Sequence, residues 1–310
     1  SAYLRAHYPA EFLAAVISNQ GGYYSAFASL SEGRRLGLTM LPPDINASDW
    51  AYRGCGTTIR VGLMHLKALR EDFVQQMVAE RQAHGPYRSL QHFLDRLQPE
   101  TAQTTLLIKA GCFDSVAGEL TRPALIWRLF ADQSGKPVGY LPIPTEYSTQ
   151  QKLAHEFELF GFPLSGHPLD LFTEVPAGLS TLPARDLAQH IGKEVTLLGW
   201  LVTEKVVSTK KGEPMEFVTF EDRTGLYDAT FFPNTYRRYG HLLASNQAYL
   251  VTGRVEEHFA TVTVTVSRFR PLSAPDAEET LSLEDDVSDP YTVEHDALSP
   301  NPLRHLHLDL

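Results

Sequence analysis

Cysteine is nearly absent: Cys55 and Cys112 are the two in a chain of 310 residues. Two isolated thiols exclude a disulfide framework, and neither stands at metal-ligand spacing, so a reducing cytoplasm is the simplest setting. Long apolar runs are lacking too. No stretch approaches the roughly 20 apolar residues that a membrane span needs, and the opening Ser-Ala-Tyr-Leu-Arg has no basic region followed by an apolar run. That opening begins with Ser inside what reads as an amphipathic helix, so a piece of a longer protein is expected. Positive charge is also short: 27 Lys and Arg face 37 Asp and Glu, a net charge of −10. This excludes strong affinity for nucleic acid spread over the whole surface.

What is there is ordinary in composition and uneven in arrangement. The content is 43% hydrophobic and 21% charged, within the range of globular proteins, and the length suits two or three domains. Residues 274–310 hold ten acidic groups and one basic group, Arg304. The remaining chain is therefore close to neutral, and the tail, rich in Ser, Asp and Pro, is expected to be disordered. Any binding of nucleic acid must come from local patches.

The pattern divides the chain into segments 1–53, 54–130, 131–190, 191–272 and 273–310. Residues 5–19 and 22–36 read as two helices, with Phe12, Leu13, Val16 and Ile17 at helical spacing. Further helices are expected at 71–81, 101–109 and 149–160. Pro137, Pro142 and Pro144 mark a linker. His167 has no partner at ligand spacing, so a packing or turn role is expected. Five strand candidates follow, at Val195–Thr203, Glu216–Glu221, Leu226–Phe232, Ala248–Glu256 and Thr261–Arg270. Asp222–Gly225 reads as a turn, and Asn234–Leu243 as a short helix between strands three and four. That order fits a five-stranded OB-type barrel, whose strands 2–3 and loops 1–2 and 4–5 form the oligonucleotide face. If Val218 and Phe220 point into the core, Phe217 faces outward, where a ring can stack a base. Lys210 and Lys211 tip the first loop, and Tyr236, Arg237, Arg238 and Tyr239 interleave aromatics with cations. The bland alternative is that Phe217 supports a loop and the arginines are solvated.

Three separated runs carry a family resemblance: Tyr3–Phe12, Leu41-Pro42-Pro43-Asp44-Ile45-Asn46, and Lys109-Ala110-Gly111-Cys112-Phe113-Asp114. Together they resemble the C-terminal part of the alpha subunit of bacterial DNA polymerase III, over roughly residues 1–272. The run Gly161–Leu169 resembles the same family. The resemblance implies an α+β multidomain fold: a helical end-of-fingers segment, a tandem helix-hairpin-helix domain, then the barrel. It implies duplex phosphates bound without sequence preference at Lys67, Arg70, Lys109 and Gly111, where backbone N–H groups and a helix dipole meet the anion. The first hairpin has Ala68 and Arg70 where the family has glycines; alanine at a positive φ is strained, so a flatter hairpin or a poorer phosphate cradle is expected, with Arg70 compensating by direct phosphate contact. The family's Pro-Asp-x-Asp-x-Asp carboxylates, which hold two metal ions, have no counterpart here. No cofactor is expected in this chain, and magnesium is expected for the full polymerase. The end His305-Leu306-His307-Leu308-Asp309-Leu310 resembles a sliding-clamp peptide, with His305, Leu306, Leu308 and Leu310 as its contacts. Expected partners are primer-template and single-stranded DNA, the clamp and other replisome subunits. Two rival readings stay open: a replisome scaffold that binds proteins, and a barrel of the anticodon-binding type.

Overall fold

Pro9 decides the start of the chain. A proline cannot continue a helix but suits its first turn, so the expected single helix over 5–19 is two, α1 (Ala2–His7) and α2 (Pro9–Ser18). The computed structural model describes residues 2–20, 25–134, 143–172, 180–244, 247–258 and 261–272. The tail with His305, Leu306, Leu308 and Leu310 lies outside them, as do Pro137 and Pro142. Ser25 opens α3 (Ala26–Arg35) by accepting the Ala28 N–H at 3.1 Å. Three short strands follow, β1 (Thr39–Leu41), β2 (Arg53–Cys55) and β3 (Thr58–Arg60), ordered β1-β3-β2. Helix α2 lies directly on this sheet. A Cβ on Gly54 would fall 2.2 Å from the Ala10 backbone, so only glycine admits that approach.

The helical body continues with α4 (Glu71–His84), α5 (Leu90–Leu97), α6 (Thr101–Lys109), α7 (Arg122–Ser134) and α8 (Thr149–Phe160). The segment before α4 is the first hairpin, and the helix expected after it from Glu71 is α4. Residues 61–70 are a run of turns, so this hairpin has a helix only on its far side. Phe93 centres the core, with edge-on contacts to Phe73, Tyr87 and Phe113. A capping box of Ser148 and Gln151 starts α8. Buried Glu156 then ties α8 to the following run, accepting the N–H groups of Leu164 at 2.6 Å and Ser165 at 2.8 Å. His167 takes the turn role, its Nδ1 accepting the Leu169 N–H at 3.1 Å.

The last part is a closed barrel of β4 (Glu194–Ser208), β5 (Pro214–Glu221), β6 (Leu226–Phe231), β7 (Ala248–His258) and β8 (Thr261–Pro271), with α9 (Pro233–Tyr239) between β6 and β7. The order around the barrel is β4-β5-β6-β8-β7, antiparallel except for β6 against β8. Alternation packs Leu197, Val218, Phe220, Ala229, Phe231, Val251, Val264 and Phe269 inside. Asp222 builds the expected turn, accepting the N–H groups of Thr224 and Gly225 at 2.6 and 2.9 Å. Barrel and helical body meet at Trp200, 2% exposed, which Phe27, Phe157 and Phe172 approach with ring centroids 5.9–6.4 Å away.

Candidate nucleic-acid interface

The helix-hairpin-helix residues fall on two turns at opposite ends of α6, about 13 Å apart at the helical rise per residue. At the first turn Ala68 has φ +61, so the backbone keeps the left-handed conformation at a cost in strain and is not flattened there. Buried Gln103 of α6 holds this turn in place: its amide donates to the Ala68 carbonyl at 3.0 Å and its oxygen accepts the Arg70 N–H at 2.9 Å. The Arg70 guanidinium is committed to carboxylates, reaching Asp72 at 2.7 and 3.0 Å and Glu100 at 2.8 Å. Those partners raise its pKa further. The open phosphate contact expected of Arg70 thus requires it to leave two carboxylates. Glu71 and Asp72 also occupy the first turn of α4, where they already complement the helix dipole. Lys67 is exposed and makes no ion pair among the described residues; its N–H donates to the Leu159 carbonyl at 2.8 Å.

At the second turn Gly111 has φ +84 and lies buried. Its N–H and that of Cys112 turn back to the carbonyls of Ile108 and Leu107, each at 2.9 Å. Arg122 covers it: a Cβ on Gly111 would meet Nη2 at 2.2 Å. That guanidinium pairs with Asp114 at 2.6 and 3.0 Å and donates to the Lys109 carbonyl at 3.1 Å. The N–H groups expected to form the cradle at Gly111 are therefore already spent within the turn, and the Arg122 guanidinium lies against the glycine. Lys109 is half-buried at the C-terminal end of α6, where the dipole favours a cation. Nothing in the local sequence announced Gln103 or Arg122, because both act across 8 to 35 residues of chain.

On the barrel, β4 and β5 run on into a hairpin tipped by Lys210 and Lys211, both exposed. Phe217 faces outward, 48% exposed. Register sets it between Lys205 of β4 and Thr230 of β6. A groove of about 450 Å³ runs here, lined by Thr203, Glu204, Lys205, Phe217 and Thr219. Lys205 was missed from sequence because its pairing depends on a register shift between Leu201 and Thr203. The residue beside Phe217, Glu216, points the other way and is buried. Burial, with the nearby Glu204 charge, pushes its carboxyl up to about 7. Of the α9 candidates, Tyr236 packs on the barrel core and is not a free stacking ring. Arg237 is held by Glu213 at 2.7 Å, which ties α9 to the hairpin tip. Arg238 is exposed and lies 5.1 Å over the Tyr239 ring.

Among the described residues no group of three or more His, Cys, Asp or Glu could hold a metal ion, and no helix is long and apolar enough to cross a membrane.

Two family models match: a helix-hairpin-helix motif over residues 37–124 and an OB-fold nucleic acid binding domain over 195–272. Among similar proteins, the DNA polymerase III subunit alpha of Saccharopolyspora erythraea is 29% identical over 90% of this chain and 26% of its own length. That of Treponema pallidum is 31% identical over 75% of this chain and 22% of its own. An error-prone DNA polymerase of Symbiobacterium thermophilum is 28% identical over 88% of this chain and 30% of its own. The chain thus spans about a quarter of the length of the curated relatives it matches. A domain of replication protein A from Methanococcus maripaludis aligns with 30% of this chain and 97% of its own at 13% identity, with a TM-score of 0.26.

Proposed function

The chain corresponds to a region of the DNA polymerase III alpha and error-prone polymerase family, with a helix-hairpin-helix motif and an OB-fold domain, and from that premise we propose that it positions the polymerase's DNA. The helical body holds the primer-template duplex by its phosphates, through Lys67 and Lys109. The barrel takes up the single-stranded template. The observation that carries this reading is the outward ring of Phe217, beside Lys205 and on the hairpin tipped by Lys210 and Lys211. A ring that stacks any base, flanked by cations that meet phosphates, suits sequence-independent binding. In the complete polymerase, in a bacterial cytoplasm, two magnesium ions would supply the metal chemistry of nucleotidyl transfer. Their ligands belong outside this region. The final six residues reach the sliding clamp.

The test is titration of this chain with labelled single-stranded, duplex and primer-template oligonucleotides at several salt concentrations. The expected result is binding that is strongest at the junction and falls steeply with salt. Phe217→Ala lowers single-strand affinity by about 1–3 kcal/mol, the value of one stacked base, and leaves the thermal midpoint unchanged. Absence of binding at low salt overturns the reading. It then favours a second one, a protein-binding scaffold, for which the internal commitment of Arg70 and the covering of Gly111 by Arg122 already speak.

A further inference from the structure

The contacts proposed above use β4, β5 and the first hairpin of the barrel. Strands β7 and β8, which are not neighbours of β5, carry a second set of outward cations. Alternation sends Val255, Val264, Val266 and Phe269 into the core and turns Arg254, Arg268 and Arg270 to the outside. A register shift between Thr252 and Gly253 sets the rows: Arg270 opposite Leu250, Arg268 opposite Thr252, Arg254 opposite Thr265. Thr252 continues the row to Thr196 of β4, and the two hydroxyls share a hydrogen bond of 2.9 Å. Arg268, Arg270, Thr196, Thr252 and Tyr239 line an open groove of about 290 Å³.

Two carboxylates stand beside these arginines: Glu194 is opposite Arg254 in register, and Glu256 accepts the Thr265 hydroxyl at 2.8 Å, so the cations of β8 carry the positive charge of this face. Strand β8 has two arginines and no carboxylate from Thr261 to Pro271. Glu194 lies 3.7 Å from Arg268, with both side chains more than half exposed, so water weakens that pair. Arg254 and Arg270 make no ion pair among the described residues. Arg268 and Arg270 are two residues apart on one strand, about 6–7 Å. Forked guanidinium donors beside threonine hydroxyls are the groups that hold phosphate oxygens without reading bases.

We infer that the strip of the barrel's outer face around Arg268 and Arg270 of β8, bordering the part where Leu198, Trp200 and Leu250 pack on the helical body, is a second track for the phosphodiester backbone of a single strand. Arg268 and Arg270 take successive phosphates, Thr196 borders the groove in the row beside Arg268, and Tyr239 walls it. The inference rests on the reading of the barrel as a single-strand binder.

The experiment compares the full chain with its Arg268→Ala/Arg270→Ala variant, using oligodeoxythymidylates longer than the roughly 4–16 nucleotides that one OB domain occupies. Both side chains are exposed, so an unchanged thermal midpoint confirms the fold. Loss of two phosphate contacts makes the slope of log K against log salt shallower by about 1.4 and lowers affinity roughly tenfold at moderate salt. The Arg268→Lys/Arg270→Lys variant restores most of the slope, because a point charge suffices for counterion release. An alanine variant with wild-type slope and affinity overturns the inference. If Phe217→Ala still weakens binding in that case, only the second track falls. If the wild-type chain binds no single strand, the track and the proposed function fall together.

Discussion

Replacing Glu216 by Gln should make the protein more stable at alkaline pH and leave it unchanged near pH 5. The carboxyl sits on β5 between Val206 and Phe231, 4% exposed, and burial raises its pKa to about 7, with Glu204 adding to the shift. In the unfolded chain the ordinary value is 4.5. Between 4.5 and 7 the folded protein binds more protons at this group than the unfolded chain does. The stability it contributes is thus fully present below 4.5 and is lost as pH rises to 7. At 1.36 kcal/mol per pH unit a shift of this size corresponds to about 3 kcal/mol as an upper bound, and about 1–2 kcal/mol is the working expectation once the folded chain relaxes around the charge. Glutamine keeps the shape and cannot ionise. The assay is urea unfolding of both proteins from pH 5 to pH 8. His65, His155 and His167 have pKa values pushed down by burial, that of His167 to about 4, and so add stability as pH rises over the same range. For that reason the difference between the two proteins, and not either curve alone, is the readout. Parallel curves across the whole range would refute the assignment of a charged-state penalty to Glu216.

Gly111→Ala adds a Cβ that displaces the Arg122 guanidinium from Asp114 and strains a φ of +84; a loss of about 2–4 kcal/mol is expected in urea unfolding, and a smaller loss than Gly56→Ala, which has open space around it, would contradict the packing account. Ala68→Gly removes the cost of a left-handed alanine, about 1 kcal/mol, against a smaller gain in unfolded-state freedom. The unfolding midpoint should rise slightly, by about 0.5 kcal/mol in stability, and a fall would show that Ala68 is not strained.

Much of the barrel was legible because its signals are local. Thr261–Val266 alternates strictly, Asp222–Gly225 has turn chemistry, and both elements are where the pattern put them. The outward direction of Phe217 followed from the same alternation. Helix starts were less legible where one residue outweighed the period, as Pro9 does between α1 and α2. The site residues were legible only as residue types. Whether Arg70 is open depends on Glu100, 30 residues away, and whether Gly111 is open depends on Arg122 across a turn. Such pairings are made by the tertiary fold, and no window of sequence contains them.

Trp200 belongs to a barrel strand, yet its indole is surrounded by rings of the helical body. Leu250, Ala248 and Leu272 share that core. The barrel is therefore not a portable module. Excised on its own, it would carry a greasy flank and tend to self-associate. A different OB domain spliced in its place by recombination would need an equivalent plug for the socket of Phe27, Phe157 and Phe172.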